Sequence, residues 1–312
     1  MGYLAWETEQ DYIDLTSHQH GAQHRGDFTQ DDVNDIAKQI NQFDPGHQAI
    51  ILICASISGG PDEEGTEVTM IEHFATWQRE LHPLLGPRKI AKLTESVIPH
   101  RGGDIQHLAK KLGYGAIIFD AGEFQRISRP RVWWSTIDWD GPNINSVLGP
   151  DTNWKNFFGA HQVRCPQPIR EAQIPAGWTA PDCWKDGENL PCLTPPAPTE
   201  SGRAAPRSSK RCMDSATHGR WAADKRQYEP WHYYENFLMV DDQNELRIPP
   251  IETKESLQHI PVGYTSRMAD KQRHRAVANS WHVGVAGLLM WILYYYRHRP
   301  HRPQPSAQRP EQ

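Results

Sequence analysis

The sequence predicts an α/β fold built on a parallel sheet, and three observations carry that prediction. Continuous apolar runs recur at residues 49–55 (AIILICA), 89–93 (KIAKL) and 115–121 (GAIIFDA). Such unbroken runs suit strands covered on both faces. Between them lie amphipathic stretches with helical spacing, and turn signals such as Asp44-Pro45-Gly46 punctuate the series. Strands alternating with helices imply right-handed βαβ units.

Taken in order, residues 3–9 (YLAWETE) form a short apolar run ending in acids, and residues 10–20 have helical spacing. In residues 27–40, Val33, Ile36, Ala37 and Ile40 recur at helical intervals behind acidic residues suited to a helix N-terminus. The first long strand follows at 49–55. Residues 70–81 read as a helix, 89–97 as a strand, 104–114 as a helix and 115–121 as a third strand. From about residue 140 the character changes. Residues 141–250 are rich in Pro, Gly and Trp around a low-complexity stretch, which reads as an irregular second lobe with a flexible loop. Residues 251–297 return to helical patterns, and 298–312 read as a disordered tail. The division expected is thus 1–140, 141–250, 251–297 and 298–312.

At 312 residues the chain can bury a full core. Its net charge of −5 argues against a protein that coats nucleic acid over its whole surface, so nucleic-acid contact has to come from local patches. The five cysteines include no CxxC pair and no signal peptide precedes them, which reads as free thiols in an intracellular, reducing compartment. No metal site is expected from their irregular spacing. The apolar run at 283–296 has 14 residues, short of the roughly 20 needed to cross a bilayer, and reads as a buried helix with a basic exit.

The most informative stretch is 94–134. TESV (94–97) places a carboxylate, Glu95, at the end of one apolar run. A helix, a Gly-Tyr turn and a second strand then lead to Ser-Arg-Pro-Arg, with Arg129 and Arg131. Carboxylate and guanidiniums are thereby expected at the same edge of the sheet, where the strand ends of doubly wound folds gather their chemistry.

This series resembles the second half of the catalytic domain of DNA cytosine-5 methyltransferases. TESV resembles the family's Glu-Asn-Val motif with Ser96 in place of Asn, and Ile127-Ser128-Arg129-Pro130-Arg131 resembles its Gln-x-Arg-x-Arg motif with Ile127 in place of Gln. The resemblance implies a Rossmann-like S-adenosylmethionine-dependent methyltransferase sheet, with Glu95 holding the N3 edge of a cytosine and Arg129 and Arg131 supporting the base. Glu7 resembles the acid that takes the cofactor's ribose hydroxyls, and Asp27 the acid that accepts from its adenine amino group, with Phe28 beside the ring. Asn279 and Ser280 in ANSWHV resemble a late Gly-Asn-Ser-type motif that returns to the cofactor pocket; a plain capping role for either is equally compatible. Residues 141–250 occupy the slot of the family's DNA-reading lobe, and Arg203, Arg207, Lys210 and Arg211 offer phosphate contacts. A nuclear location follows if the source is eukaryotic.

Two parts of the family pattern have no match. Met1 comes just before the family's second strand, so the first strand and the Gly-rich loop that wraps the cofactor's methionine end are not matched, and the sheet is expected to be incomplete with exposed strand edges. After AIILICA the family carries a Pro-Cys pair, the nucleophile that attacks cytosine C6, whereas this chain reads SISGGPDEEG (56–65). Cys54 is the nearest thiol, and it lies inside the apolar run, where a buried and inert thiol is expected. The expectation is a fragment or inactive relative. The alternatives are a non-catalytic DNA-binding or regulatory module, and a different nucleotide-binding α/β enzyme in which Glu95 lies far from the arginines.

Overall fold

The computed structural model describes residues 4–43, 49–55, 66–99, 102–141, 144–149, 151–157, 160–164, 169–204 and 213–297. Its N-terminal part runs β1 (Leu4–Ala5), α1 (Gln10–His20), β2 (Gln23–His24), α2 (Val33–Phe43), β3 (Ala49–Ala55) and α3 (Thr66–Leu84). There follow β4 (Lys89–Val97), α4 (Gly102–Leu112), β5 (Ala116–Asp120), β6 (Pro130–Ser135), α5 (Ile144–Leu148), β7 (Asn153–Phe157) and β8 (Ala160–Arg164). Short elements come next: α6 (Asp182–Lys185), α7 (Ser215–Ala223), β9 (Met239–Val240) and β10 (Leu246–Arg247). The described chain closes with α8 (Ile251–Leu257), α9 (Asp270–Asn279) and α10 (Val283–Arg297).

The protein is α/β, with a six-strand mixed sheet in the order β3-β4-β6-β5-β8-β7 flanked by helices, and two small two-strand sheets, β1-β2 and β9-β10. The strands expected from the apolar runs are present. The sheet is not purely parallel, however. β3 and β4 pair in parallel, but β6 lies antiparallel between β4 and β5, so the strands before and after α4 are not neighbours. The connection after β5 explains this. Asp120 accepts backbone N–H bonds from Gly122 at 2.9 Å and from Arg129 at 2.6 Å, pinning both ends of a tight loop that folds β6 straight back on β5.

Period-2 alternation makes two cores from one sheet. Ile117, Phe119 and Trp133 face one way, into a core shared with Leu289, Ile292 and Leu293 of α10. Ile118, Val132 and Trp134 face the other way, toward Phe74, Leu81, Ile105 and Leu108 of α3 and α4. The Trp134 indole finds a polar partner there, donating to the Ile105 carbonyl at 3.1 Å.

The change of character at residue 140 does not coincide with the end of the sheet, because β8 pairs with β5 and β7 with β8. At the other end β3 is the terminal strand, and among the described residues nothing pairs with its outer edge. β1 and β2 stand apart as a parallel pair, and Ile53 on β3 is 41% exposed. Among the described residues no single helix is long and apolar enough to cross a membrane. The tail at 298–312 and the loop at 56–65 lie outside the described residues.

Candidate functional site

The register of β4 against β6 fixes the centre of the site. Glu95 lies opposite Trp133 and Val97 opposite Arg131, so Glu95 and Arg131 are diagonal neighbours on one face, within reach of long side chains. The Arg131 Nε donates to Glu95 Oε1 at 3.1 Å, with both side chains largely buried. The Trp281 indole N–H reaches Glu95 Oε2 at 3.1 Å while its ring stacks edge-on against Trp133, 5.3 Å between centroids. Glu95 is only 5% exposed, and that burial raises its carboxyl above the usual range against the opposing pull of Arg131 and Arg129.

Arg129 is 4% exposed and anchored by the end of α9. Its Nη1 donates to the Ala278 carbonyl at 3.0 Å and its Nη2 to the Ser280 carbonyl at 2.8 Å. A guanidinium placed there satisfies carbonyls that a helix C-terminus leaves unpaired and complements the negative end of its dipole. Burial, and then repulsion by Arg131, pull its pKa below the usual arginine value. Asn279 and Ser280 therefore end α9. They do not cap α10, whose first turn is instead capped by His282 Nδ1 accepting from the Val285 N–H at 3.2 Å.

These groups line a cavity of about 760 Å³. Its wall also includes Glu7, Asp27 and Phe28 from the N-terminal segment and Asn279 and Ser280 from the end of α9. All eight residues expected from sequence in catalytic or cofactor roles thus share one cavity. Glu7 Oε1 accepts from the Thr8 and Glu9 N–H groups, and Asp27 Oδ1 caps a short turn through the Thr29 N–H and hydroxyl. Both sets of bonds fall on one oxygen of each carboxylate. The lining carries both signs of charge, from Glu7, Glu9 and Asp27 and from Arg129, Arg131 and Arg275.

Cys54 reaches the same cavity from β3, beside Thr94 of β4. Burial, with the Glu95 carboxylate adding to it, pushes this thiol up to about 12, so it is held protonated. A second thiol approaches from the segment that follows α6. Cys192 Sγ accepts from Arg129 Nη1 at 3.4 Å and Arg131 Nη2 at 3.6 Å. Sequence reading passed over Cys192 and Trp281. The Pro191-Cys192 pair was the available signal for the first, but it stands more than a hundred residues beyond the loop where a Pro-Cys was sought.

The DNA-contact candidates fare differently. Arg203 forms an ion pair with Glu229 at 2.9 Å and donates to the Pro195 carbonyl at 2.8 Å, so its guanidinium is already engaged within the chain. Arg207, Lys210 and Arg211 lie outside the described residues. Among the described residues no group of three or more His, Cys, Asp or Glu side chains could hold a metal ion. No protein-family model matches this sequence, and comparison with curated proteins finds no match.

Proposed function

We propose that this chain is a relative of the DNA cytosine-5 methyltransferases with a Rossmann-like methyltransferase sheet, and that it binds S-adenosylmethionine and cytosine-bearing DNA without transferring the methyl group. The observation that carries the reading is convergence. Glu7, Asp27, Phe28, Glu95, Arg129, Arg131, Asn279 and Ser280 come from five separated stretches of sequence, and all line the same cavity. Coincidental surface acids and arginines have no reason to meet. The reading of a different enzyme with a distant Glu95 loses its basis at a 3.1 Å contact with Arg131.

The residues present fit the cofactor. The cavity is of a size that holds a nucleoside-bearing ligand. Glu7 would take the ribose hydroxyls and Asp27 the adenine amino group, each with the carboxylate oxygen its local turn leaves unused, while Phe28 lies against the ring. S-adenosylmethionine, when bound, supplies an electrophilic methyl group. Glu95 would hold the cytosine. Burial shifts its carboxyl toward the protonated form, the one able to donate to the N3 acceptor, against the opposing pull of the arginines. Arg129 and Arg131 would support charge on the base. No counterpart of the Pro-Cys follows AIILICA in the sequence, and the neutral Cys54 thiol is a poor nucleophile. Loss of a covalent step of this kind removes many orders of magnitude of rate.

Two measurements on the full chain separate the halves of the proposal. Calorimetric titration with S-adenosylmethionine is expected to give binding that Glu7→Ala weakens about tenfold or more; no binding would overturn the cofactor assignment. Incubation with labelled S-adenosylmethionine and duplex DNA is expected to leave cytosine unlabelled, and detectable methylcytosine would overturn the inactive reading.

A further inference from the structure

The guanidinium pair is out of balance. Arg129 and Arg131 bring two positive charges to a buried cluster in which Glu95 is the one carboxylate in ion-pair contact among the described residues. The Nε of Arg129 is buried without an acceptor. The acceptor the two guanidiniums share is the Cys192 sulfur, at 3.4 and 3.6 Å. A thiol sulfur is a weak acceptor for two charged donors. The thiol's own proton is directed elsewhere, toward the Leu193 carbonyl at 3.5 Å, which leaves the sulfur lone pairs on the guanidinium side. Cys192 is partly buried, as is Cys54, whereas Cys183 is buried; of these three described thiols, Cys192 alone has two guanidiniums on its sulfur.

We propose that Cys192 is a peroxide-sensitive modification site, whose sulfenate is held by Arg129 and Arg131 and draws Arg131 away from Glu95. In the step itself a sulfur lone pair attacks one oxygen of hydrogen peroxide. The sulfur–oxygen bond forms as the oxygen–oxygen bond breaks, and the departing hydroxide takes the thiol proton as water. Sulfur is oxidised by two electrons and peroxide reduced by two. The product is a sulfenic acid; once it gives up its O–H proton to solvent, the sulfenate offers an anionic oxygen where a weak sulfur acceptor stood, so both guanidiniums gain a charge-assisted hydrogen bond. Arg131 is the shared partner, with Nε on Glu95 and Nη2 on Cys192. Strengthening one contact therefore competes with the other, and oxidation at the lobe reshapes the cavity wall. The inference rests on this cluster alone and holds whether or not the cavity takes S-adenosylmethionine.

The test is dimedone trapping of sulfenates on the full chain under hydrogen peroxide, read by mass spectrometry of the cysteine peptides. Cys192 is expected to label at least about tenfold faster than Cys54 and Cys183, and Arg131→Gln to slow it several-fold. Arg131→Lys, which keeps the charge but cannot grip both partners, is expected to fall between. Continued protection of Cys54 and Cys183 reports that each variant is folded. Dithiothreitol is expected to remove the label precursor and restore the thiol. Equal labelling of the three cysteines in the folded chain would overturn the proposal, as would a Cys192 rate indifferent to both Arg131 variants.

Discussion

The cluster around Glu95 and the cluster around Lys254 both take cations out of water, yet only the first provides a carboxylate in contact. Glu95 pairs with Arg131, and Arg129 beside them donates to the carbonyls ending α9. Lys254, on α8, meets the His274 Nδ1 at 3.1 Å and lies over the Tyr228 ring at 4.4 Å, with no carboxylate in ion-pair contact among the described residues. The consequences diverge. Burial brings Lys254 down to about 7, against a weaker upward pull from Asp224 and Asp270. His274 and His232 fall to about 3, through burial first and the nearby Lys254 second. The first cluster keeps its charges by pairing them and opens onto a cavity. The second carries less charge near neutral pH and joins residues 228–232 to the C-terminal helices. Buried polarity alone is therefore no sign of a site; retained charge facing a cavity is the stronger one.

The largest effect that would sharpen this contrast is Glu95→Gln. Removing the carboxylate leaves two buried guanidiniums unbalanced, a loss of about 3–5 kcal/mol by the usual cost of breaking a buried pair. Urea unfolding at neutral pH measures it, and a change under about 1 kcal/mol would show that the two clusters are energetically alike.

Next comes Lys254, where the sign of the pH dependence is specific. Its folded value lies below its ordinary value of 10.5, so between about 7 and 10.5 the unfolded chain binds more protons. Stability should then rise with pH across that window, by up to a few kcal/mol, and the penalty should be fully present below it. Lys254→Met should abolish this rise and leave the protein equal or more stable at pH 7. A wild-type curve that is flat or falls from pH 7 to 10 would refute the account. Glu95 carries the opposite sign, since a raised carboxyl penalises folding as pH climbs past the unfolded carboxyl value.

The smallest effect is Trp281→Phe. It removes one N–H donor to Glu95 and keeps an aromatic ring against Trp133. A loss of about 1 kcal/mol is expected, read as a shift in the urea midpoint at unchanged slope. A loss as large as that of Glu95→Gln would mean that the indole, not the carboxylate, holds the cluster.

Local pattern was enough for the strands and for half of the site. KIAKL and GAIIFDA are apolar because both faces of the sheet are covered there, a demand expressed residue by residue, while AIILICA is apolar toward one core and also lines the cavity through Ile51 and Ile53. The Arg129-x-Arg131 spacing and Glu95 at a strand end were legible for the same reason, since a period of two keeps such residues on one face. Strand order was not legible. Whether β6 pairs with β4 or stays outside it depends on how the Asp120 loop reverses the chain and on which apolar faces are left to cover, and neither is written in any one segment. The thiol that meets the guanidiniums was hidden for a similar reason. Cys192 lies 61 and 63 residues from its partners. Contacts at that separation are set by how the second lobe packs, because side-chain reach is a few ångströms and only the closed fold brings the segments within it.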